Sequence, residues 1–267
     1  MSNLIAVSTN TYHKFSLEEA LSGIAQAGFR SVELSTVKGW TEHFPLDDYS
    51  PQELHNLQVK FNQYNLQLVN LSAHSDLGTA EGVEHLKKAV DFAEQVGAKV
   101  INTGTIEKEE HLPALLDNLS VLGDYAQKKG KKIGLEIHGD FLKNGLKAKE
   151  LMEQVRHPAI GINYDTGNAI FYGNSKPEED IKYCLSWLVH IHLKDKRGGY
   201  KVWDFPALGE GEVNFRDFFS VLDQNKIQVP LSVEIEFDGK FDHDREFVDQ
   251  AVRQSFQYLS QLGLTKK

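Results

Sequence analysis

Short apolar runs of strand length alternate along the whole chain with stretches in which apolar residues recur every third or fourth position. Such switching between a period of two and one of about 3.6 marks strand and helix units laid around a parallel sheet. The runs predict strands at Leu4–Ser8, Ser31–Leu34, Leu66–Leu71, Lys99–Asn102, Ile133 onward, Ala159–Tyr164, Leu188–Leu193 and Val229–Ile235. Between them, Ser16-Leu-Glu-Glu19 reads as a capping box opening a helix to about Ala27, and Pro51 after Ser50 suits a first helical turn. A third helix carries Leu86, Ala89, Val90 and Ala93 on one face and should end in a left-handed cap at Gly97. A fourth, with Leu115, Leu119, Leu122 and Ala126, should stop at Gly130. Later helices are predicted over 146–155, 177–185, 214–223 and 244–262, the last burying Phe247, Ala251, Val252, Phe256 and Leu259. Eight strand and helix pairs without a linker fit an α/β fold, a (β/α)8 barrel spanning residues 1–267 as one domain, better than an open doubly wound sheet.

Charge and cysteine usage narrow the classes of function. With 29 Lys and Arg against 38 Asp and Glu, the formal net charge is -9, so the mean potential repels polyanions and nucleic acid is not an expected partner. No apolar run approaches the length of a membrane span, and the amino-terminal stretch lacks the pattern of a secretory leader. Cys184 is the single cysteine, which rules out an internal disulfide framework; it is read as structural, and the protein as cytoplasmic. No Gly-x-Gly-x-x-Gly follows the first strand and no Walker loop occurs, so a dinucleotide or nucleoside triphosphate has no support.

In a barrel of this kind the chemistry sits where the strands end in the loops of the carboxyl-terminal face. Four successive strands deliver an acid or a histidine there: Glu136 in Ile133-Gly-Leu-Glu-Ile-His-Gly-Asp-Phe141, Asp165 in Gly161-Ile-Asn-Tyr-Asp165, His192 in Val189-His-Ile-His-Leu-Lys-Asp195 and Glu234 in Leu231-Ser-Val-Glu-Ile-Glu236. They are 29, 27 and 42 residues apart, the first two gaps close to one strand and helix repeat. Three carboxylates converging without a cation would repel and raise one another's pKa values; with one imidazole they form a mostly hard donor set for one divalent ion, Mn2+, Mg2+ or Co2+, with Zn2+ also admissible. Because alternate strand residues share a face, Glu136 pairs with His138, His190 with His192, and Glu234 with Glu236.

Together with Ser31-Val-Glu-Leu34, Tyr164-Asp-Thr-Gly-Asn168 and Leu208-Gly-Glu-Gly-Glu-Val213, these motifs resemble the xylose isomerase-like TIM-barrel superfamily of sugar phosphate isomerases and epimerases, over essentially the whole chain. The resemblance implies that Glu136, Asp165, His192 and Glu234 fall on the superfamily's metal ligands, and that Glu136 and Glu234 also act as the catalytic acid and base on a small sugar or sugar-derived substrate. A carboxylate on one side removes a proton next to a carbonyl, the ion stabilises the enediolate, and the partner returns a proton. The superfamily includes ketose 3-epimerases, hydroxypyruvate isomerases, inosose dehydratases and dehydroshikimate dehydratases. This chain departs from the epimerases at Asn168, where they carry His, and at Gly198, where they carry Arg; Arg197 stands one position earlier.

Expected substrate contacts are Glu33, His74, His138, Asn168, Lys194 and Arg197, with structural hydrogen bonding the competing role for Glu33, His74 and His138. His190 is read as orienting a ligand, and Asp195 as a solvated loop acid in preference to a second metal's ligand. Trp40, Phe44, Trp203 and Phe205, in the two longest top loops, serve either to cap the pocket or to pack. The favoured function is a divalent-metal-dependent isomerase or epimerase of a sugar, ketose or hydroxy-keto acid. A dehydratase on the same site is the alternative, and an endonuclease-like DNA repair enzyme is disfavoured by charge and by sparse histidines. Oligomeric state is left open, although members of the superfamily commonly form dimers or tetramers.

Overall fold

The computed structural model describes residues 4–240 and 242–265; residues 1–3, part of the stretch read for a leader, lie outside them. Eight parallel strands close into a barrel in sequence order: β1 (Ile5–Ser8), β2 (Ser31–Ser35), β3 (Gln67–Ser72), β4 (Val100–Thr103), β5 (Lys132–Glu136), β6 (Ile160–Asp165), β7 (Leu188–Leu193) and β8 (Leu231–Val233). This is the predicted (β/α)8 barrel. Helices α1 (Leu17–Ala27), α2 (Pro51–Gln63), α3 (Ala80–Val96), α4 (Leu112–Lys128) and α5 (Gly145–Val155) follow the first five strands. Beyond β6 come α6 (Thr166–Phe171) and α7 (Pro177–Asp180), and α8 (Phe215–Gln224) and α9 (Arg245–Gln261) follow β7 and β8. No helix among the described residues is long and apolar enough to cross a membrane.

The local signals act as their chemistry requires. Ser16 and Ser50 each accept from the backbone of the glutamate three residues on, while Glu19 and Glu53 accept from the serine backbones in return. Gly97 closes α3 at φ +78°. Strand side chains divide by parity. Leu34, Leu71, Ile101, Ile133, Leu135, Ile162, Ile191 and Leu193 are fully buried in the apolar core. The alternate residues Glu33, Asn102, Glu136, Asn163, Asp165, His190, His192 and Ser232 are also buried, and their hydrogen bonds run across the barrel interior. A register shift between Ile162 and Asn163 sets Asp165 directly across from His192. Gly134 keeps the interior open, since a Cβ there would stand 2.6 Å from Asn102 Oδ1.

Four expectations change. The single helix expected over 177–185 is a four-residue α7 and two short 3-10 turns, and α6 precedes it unpredicted, because Asp165 Oδ1 accepts from Asn168 N at 2.8 Å and coils the chain as soon as it leaves β6. Strand β8 is shorter than Val229–Ile235, for the Ile235 amide donates to Thr11 Oγ1 at 3.0 Å. Phe247 is 47% exposed and stacks on His243 at 4.3 Å, while Val248 takes the inward place on α9. Asp195 is not solvated. It is fully buried and accepts from the amides of Lys196, Gly209, Gly211 and Val213 at 2.8, 2.8, 2.9 and 3.2 Å. The motif 208–213 therefore wraps one carboxylate, and a Cβ at Gly211 would lie 2.2 Å from it.

Asp195→Ala leaves those four amides without their acceptor. Each charge-assisted bond contributes about 1.5–3 kcal/mol, partly offset by relaxation and water entry, so we expect a loss of about 3 kcal/mol in denaturant unfolding. An unchanged midpoint would show that the loop holds its shape by other means.

Candidate metal centre

Glu136, Asp165, His192 and Glu234 leave the carboxyl ends of four neighbouring strands, and one donor atom from each lies within 4.8 Å of the others. All four side chains are buried. The His192 ring fixes the geometry: Nε2 is bonded to Glu33 Oε1 at 2.7 Å, which turns Nδ1 toward Glu136 Oε2 (3.2 Å), Glu234 Oε2 (3.5 Å) and Asp165 Oδ2 (3.8 Å). Donors around one hard divalent ion stand about 3 Å apart when adjacent, so this spacing fits such an ion after slight contraction. Asp165 Oδ2 is buried and makes no well-formed hydrogen bond; its near neighbours are Lys194 Nζ at 3.1 Å and His192 Nδ1 at 3.8 Å. Three buried carboxylates and an imidazole converging in this way are the donor chemistry a divalent cation requires.

Glu136 and Glu33 are held ionised by what surrounds them. Burial pushes the Glu136 carboxyl up, but His192 and His74 outweigh it and hold it well below the usual range. Burial likewise opposes ionisation of Glu33, which His192 and His190 nevertheless bring to about 2. Burial pushes the His192 imidazole down, and Glu33, Glu234 and Glu136 raise it well above its ordinary value. Lys194 Nζ lies 2.7 Å from Glu234 Oε2, 3.1 Å from Asp165 Oδ2 and 3.1 Å from Glu236 Oε2; burial alone would discharge this ammonium, and the three acids keep it charged.

The other residues singled out from the sequence divide. Glu33 has no exposed surface and bonds His192, Asn102 and Ser232, so it supports the centre from beneath. His74 Nε2 meets Glu136 Oε2 at 3.0 Å, and His138, at the mouth, is bonded to Tyr172 at 3.3 Å. Asn168 Nδ2 donates to Glu136 Oε1 at 3.2 Å and to the Ile137 carbonyl at 3.0 Å. His190 lies below His192, bonded to Asn163 and Ser232, and burial lowers its pKa to about 3. Arg197 is not brought to the centre: half-exposed, it faces Asp204 and Glu210 beside a separate cavity.

Above the carboxylates is a cavity of about 380 Å³, bordered by Asn10, Trp40, His74, Tyr172, Trp203 and Glu236. Of the four aromatic residues expected at the mouth, Trp40 and Trp203 are there, whereas Phe44 stacks on Phe92 at 4.9 Å and Phe205 lies buried 5.2 Å from the Lys194 ammonium. Sequence reasoning missed Asn10, Asn102, Asn163, Ser232 and Tyr172 and gave Glu236 no role. Asn10 Nδ2 donates to Glu234 and Glu236, both at 3.1 Å, while its Oδ1 accepts from Trp40 and Thr41. The readable signal is parity: Asn102, Asn163 and Ser232 share the inward face with Glu33, Glu136 and Asp165.

Comparison with known proteins agrees with this architecture. The family model for the xylose isomerase-like TIM barrel matches residues 21–262. An inosose dehydratase from Clostridium beijerinckii is 26% identical over 271 aligned positions, covering 88% of this chain and 87% of its own. A xylose isomerase-like TIM barrel protein from Mycobacterium smegmatis, solved in complex with magnesium, superposes with a TM-score of 0.77 at 16% identity, over 96% of this chain and 98% of its own. The D-allulose 3-epimerase of a Methylomonas species, in complex with D-allulose, gives 0.74 at 19% identity over 98% of both chains.

Glu33→Gln removes the charge that holds His192 Nε2. Loss of such a supporting carboxylate costs about 10–100-fold in metal affinity. Calorimetric titration with Mn2+ is expected to show that loss in a variant with an unaltered circular dichroism spectrum; wild-type affinity would separate Glu33 from the metal centre.

Proposed function

The chain belongs to the xylose isomerase-like TIM barrel family, and from that premise we propose that it moves a proton next to the carbonyl of a small sugar-derived ketone, as an isomerase or epimerase. One divalent ion, Mn2+, Mg2+ or Co2+ before Zn2+, would be held by Glu136, Asp165, His192 and Glu234. When bound, it supplies Lewis-acid charge beside the substrate carbonyl. The observation that carries the reading is the pair of buried carboxylates Glu136 and Glu234, three strands apart around the barrel and both turned toward His192 Nδ1.

The side chains divide the work. Glu136, kept ionised by His192 and His74, accepts the proton from carbon; Asn168 and Asn163 each donate to one of its oxygens and fix its direction. Glu234 is the proton donor from the other side. Asn10 binds its Oε1, so Oε2 is the oxygen that faces Lys194 and the centre. Trp40 and Trp203 border the cavity and limit water entry. The lone cysteine, Cys184, buried and unpaired, accords with a reducing, cytoplasmic setting.

A second reading, dehydration, rests on Glu236. Burial pushes this carboxyl up, Lys194 opposes and Glu234 adds to the rise, which gives the site a further acid able to protonate a departing hydroxyl. The similarity to an inosose dehydratase supports the same alternative.

Incubation of metal-loaded protein with ketoses and inososes in D2O, followed by NMR, is expected to show deuterium entering next to the carbonyl. No exchange with any compound would sink both readings. Glu136→Gln should lower turnover by about 10³-fold, the scale of a lost general base. With Glu236→Gln, undiminished exchange combined with loss of enone formation would assign dehydration; retention of both would remove Glu236 from the chemistry.

A further inference from the structure

We infer that Asn10 is a positioning residue that ties the mouth loop 36–43 to Glu234, so that of the two carboxylates in the proposed proton transfer one is aimed by the barrel frame and the other through a loop. The inference rests on that reading and deepens it. The Asn10 amide stands between two sets of partners. Its Nδ2 donates to Glu234 Oε1 and Glu236 Oε1, both at 3.1 Å, and its Oδ1 accepts from Trp40 Nε1 at 3.0 Å and Thr41 Oγ1 at 2.7 Å. A primary amide has two N–H donors and two lone pairs, so every position is filled. Turning it over would set NH2 against two donors and the oxygen against two carboxyl oxygens, in a side chain buried from water. The orientation does not depend on whether Glu234 carries a proton, because that proton belongs on Oε2, the oxygen turned toward the centre.

The backbone around Asn10 is stitched to both neighbours. Asn10 lies in the 3-10 turn Thr9–Tyr12 that follows β1. Thr9 Oγ1 accepts from the Ser35 amide at 2.9 Å, at the root of the mouth loop, and Thr11 Oγ1 accepts from the Ile235 amide, one residue past Glu234, at 3.0 Å. The loop closes on the Thr41 carbonyl, which accepts from Ser35 Oγ at 2.7 Å and from the Val37 amide at 3.1 Å. Because the single hydroxyl proton of Thr41 goes to Asn10, its oxygen accepts from His13 Nδ1 at 2.7 Å, and the His13 ring stacks on Trp40 at 4.3 Å. His13, Thr41, Asn10 and Glu234 form one directed chain, in which each bond polarises the next.

Glu136 is supported differently. Its hydrogen-bond partners among the described residues are His74, Asn163 and Asn168, none of which belongs to the mouth loop. A displacement of that loop therefore reaches Glu234 first. Trp40 is 44% exposed and borders the cavity, so a ligand entering the mouth meets the indole whose N–H sets the Asn10 amide. Loop position and the aim of the second proton carrier are thereby one variable, and a shift on the scale of an ångström is enough to alter the rate of a proton transfer.

The first test needs neither metal nor substrate. In the full chain carrying Trp187→Phe and Trp203→Phe, Trp40 alone emits; Glu234→Ala should shift its fluorescence, and in an Asn10→Leu background the same change should be silent. Emission blind to Glu234→Ala, or a shift that survives Asn10→Leu, would overturn the inference. The second test uses the metal-loaded enzyme in D2O with a ketose or inosose that it converts. Trp40→Phe and Thr41→Val, which remove the N–H and the hydroxyl, should each slow product formation about 10-fold, the scale of one buried hydrogen bond. Deuterium entry into recovered substrate, which needs Glu136 alone, should keep its wild-type rate, and Thr41→Ser should restore product formation. Equal loss of both processes, or no rescue by Thr41→Ser, would count against the link. Wild-type protein that exchanges no compound would remove the proton-transfer reading, and the emission measurement would still decide whether Asn10 joins the loop to Glu234.

Discussion

The constraint on which this molecule turns is the cost of keeping carboxylates dry. A buried, ionised acid survives only where hydrogen-bond donors or opposite charges replace the water it has lost. The barrel mouth contains Glu136, Asp165, Glu234 and Glu236, with Glu33 beneath. Around them the fold arranges Asn10, Asn163 and Asn168 as amide donors, and His74, His192 and Lys194 as cationic or polar partners. The compensation is local: even the Asp165 oxygen that makes no well-formed hydrogen bond has the Lys194 ammonium at 3.1 Å.

The same economy explains why the interior is polar from floor to mouth. Glu33 bonds the far nitrogen of His192, and Asn102 and Ser232 satisfy Glu33 in turn. These groups come from β2, β4, β7 and β8, so His192 is oriented by the closed ring of strands as a whole. A ligand set supported in this way is preorganised, because moving one donor means breaking bonds to several strands.

Much of this was legible in the sequence. The change of hydrophobic period gave the eight units, and acids at equivalent strand ends gave the four central residues, since both signals follow from pleat and helix geometry alone. The floor was less visible: an isolated Asn102 or Ser232 looks like any polar residue until parity places it inward beside Glu33. Long-range choices were beyond reach. Arg197 faces Asp204 and Glu210, neither of which a motif marks as its partner, and Phe247 was given the inward place that packing awards to Val248. Helix α6 was hidden because Asp165 has two duties, one oxygen capping a helix and the other facing the centre.

The knot around Asp195 separates two kinds of change. Four amides grip that carboxylate, and the Glu212 amide bonds the Lys196 carbonyl at 2.7 Å, so residues 194–196 are fastened to 209–213 whatever lies between. The intervening segment, with Trp203 at the cavity's edge, hangs from a closed clasp. Phe205 ties it down from within, exchanging backbone hydrogen bonds with Phe237 and lying buried 5.2 Å from the Lys194 ammonium, so it is the exposed stretch around Tyr200 and Val202 that can change without reaching Lys194. The barrel thus keeps its buried acids and histidines on the ring of strands and exposes beside them a short loop whose outer residues are free to vary.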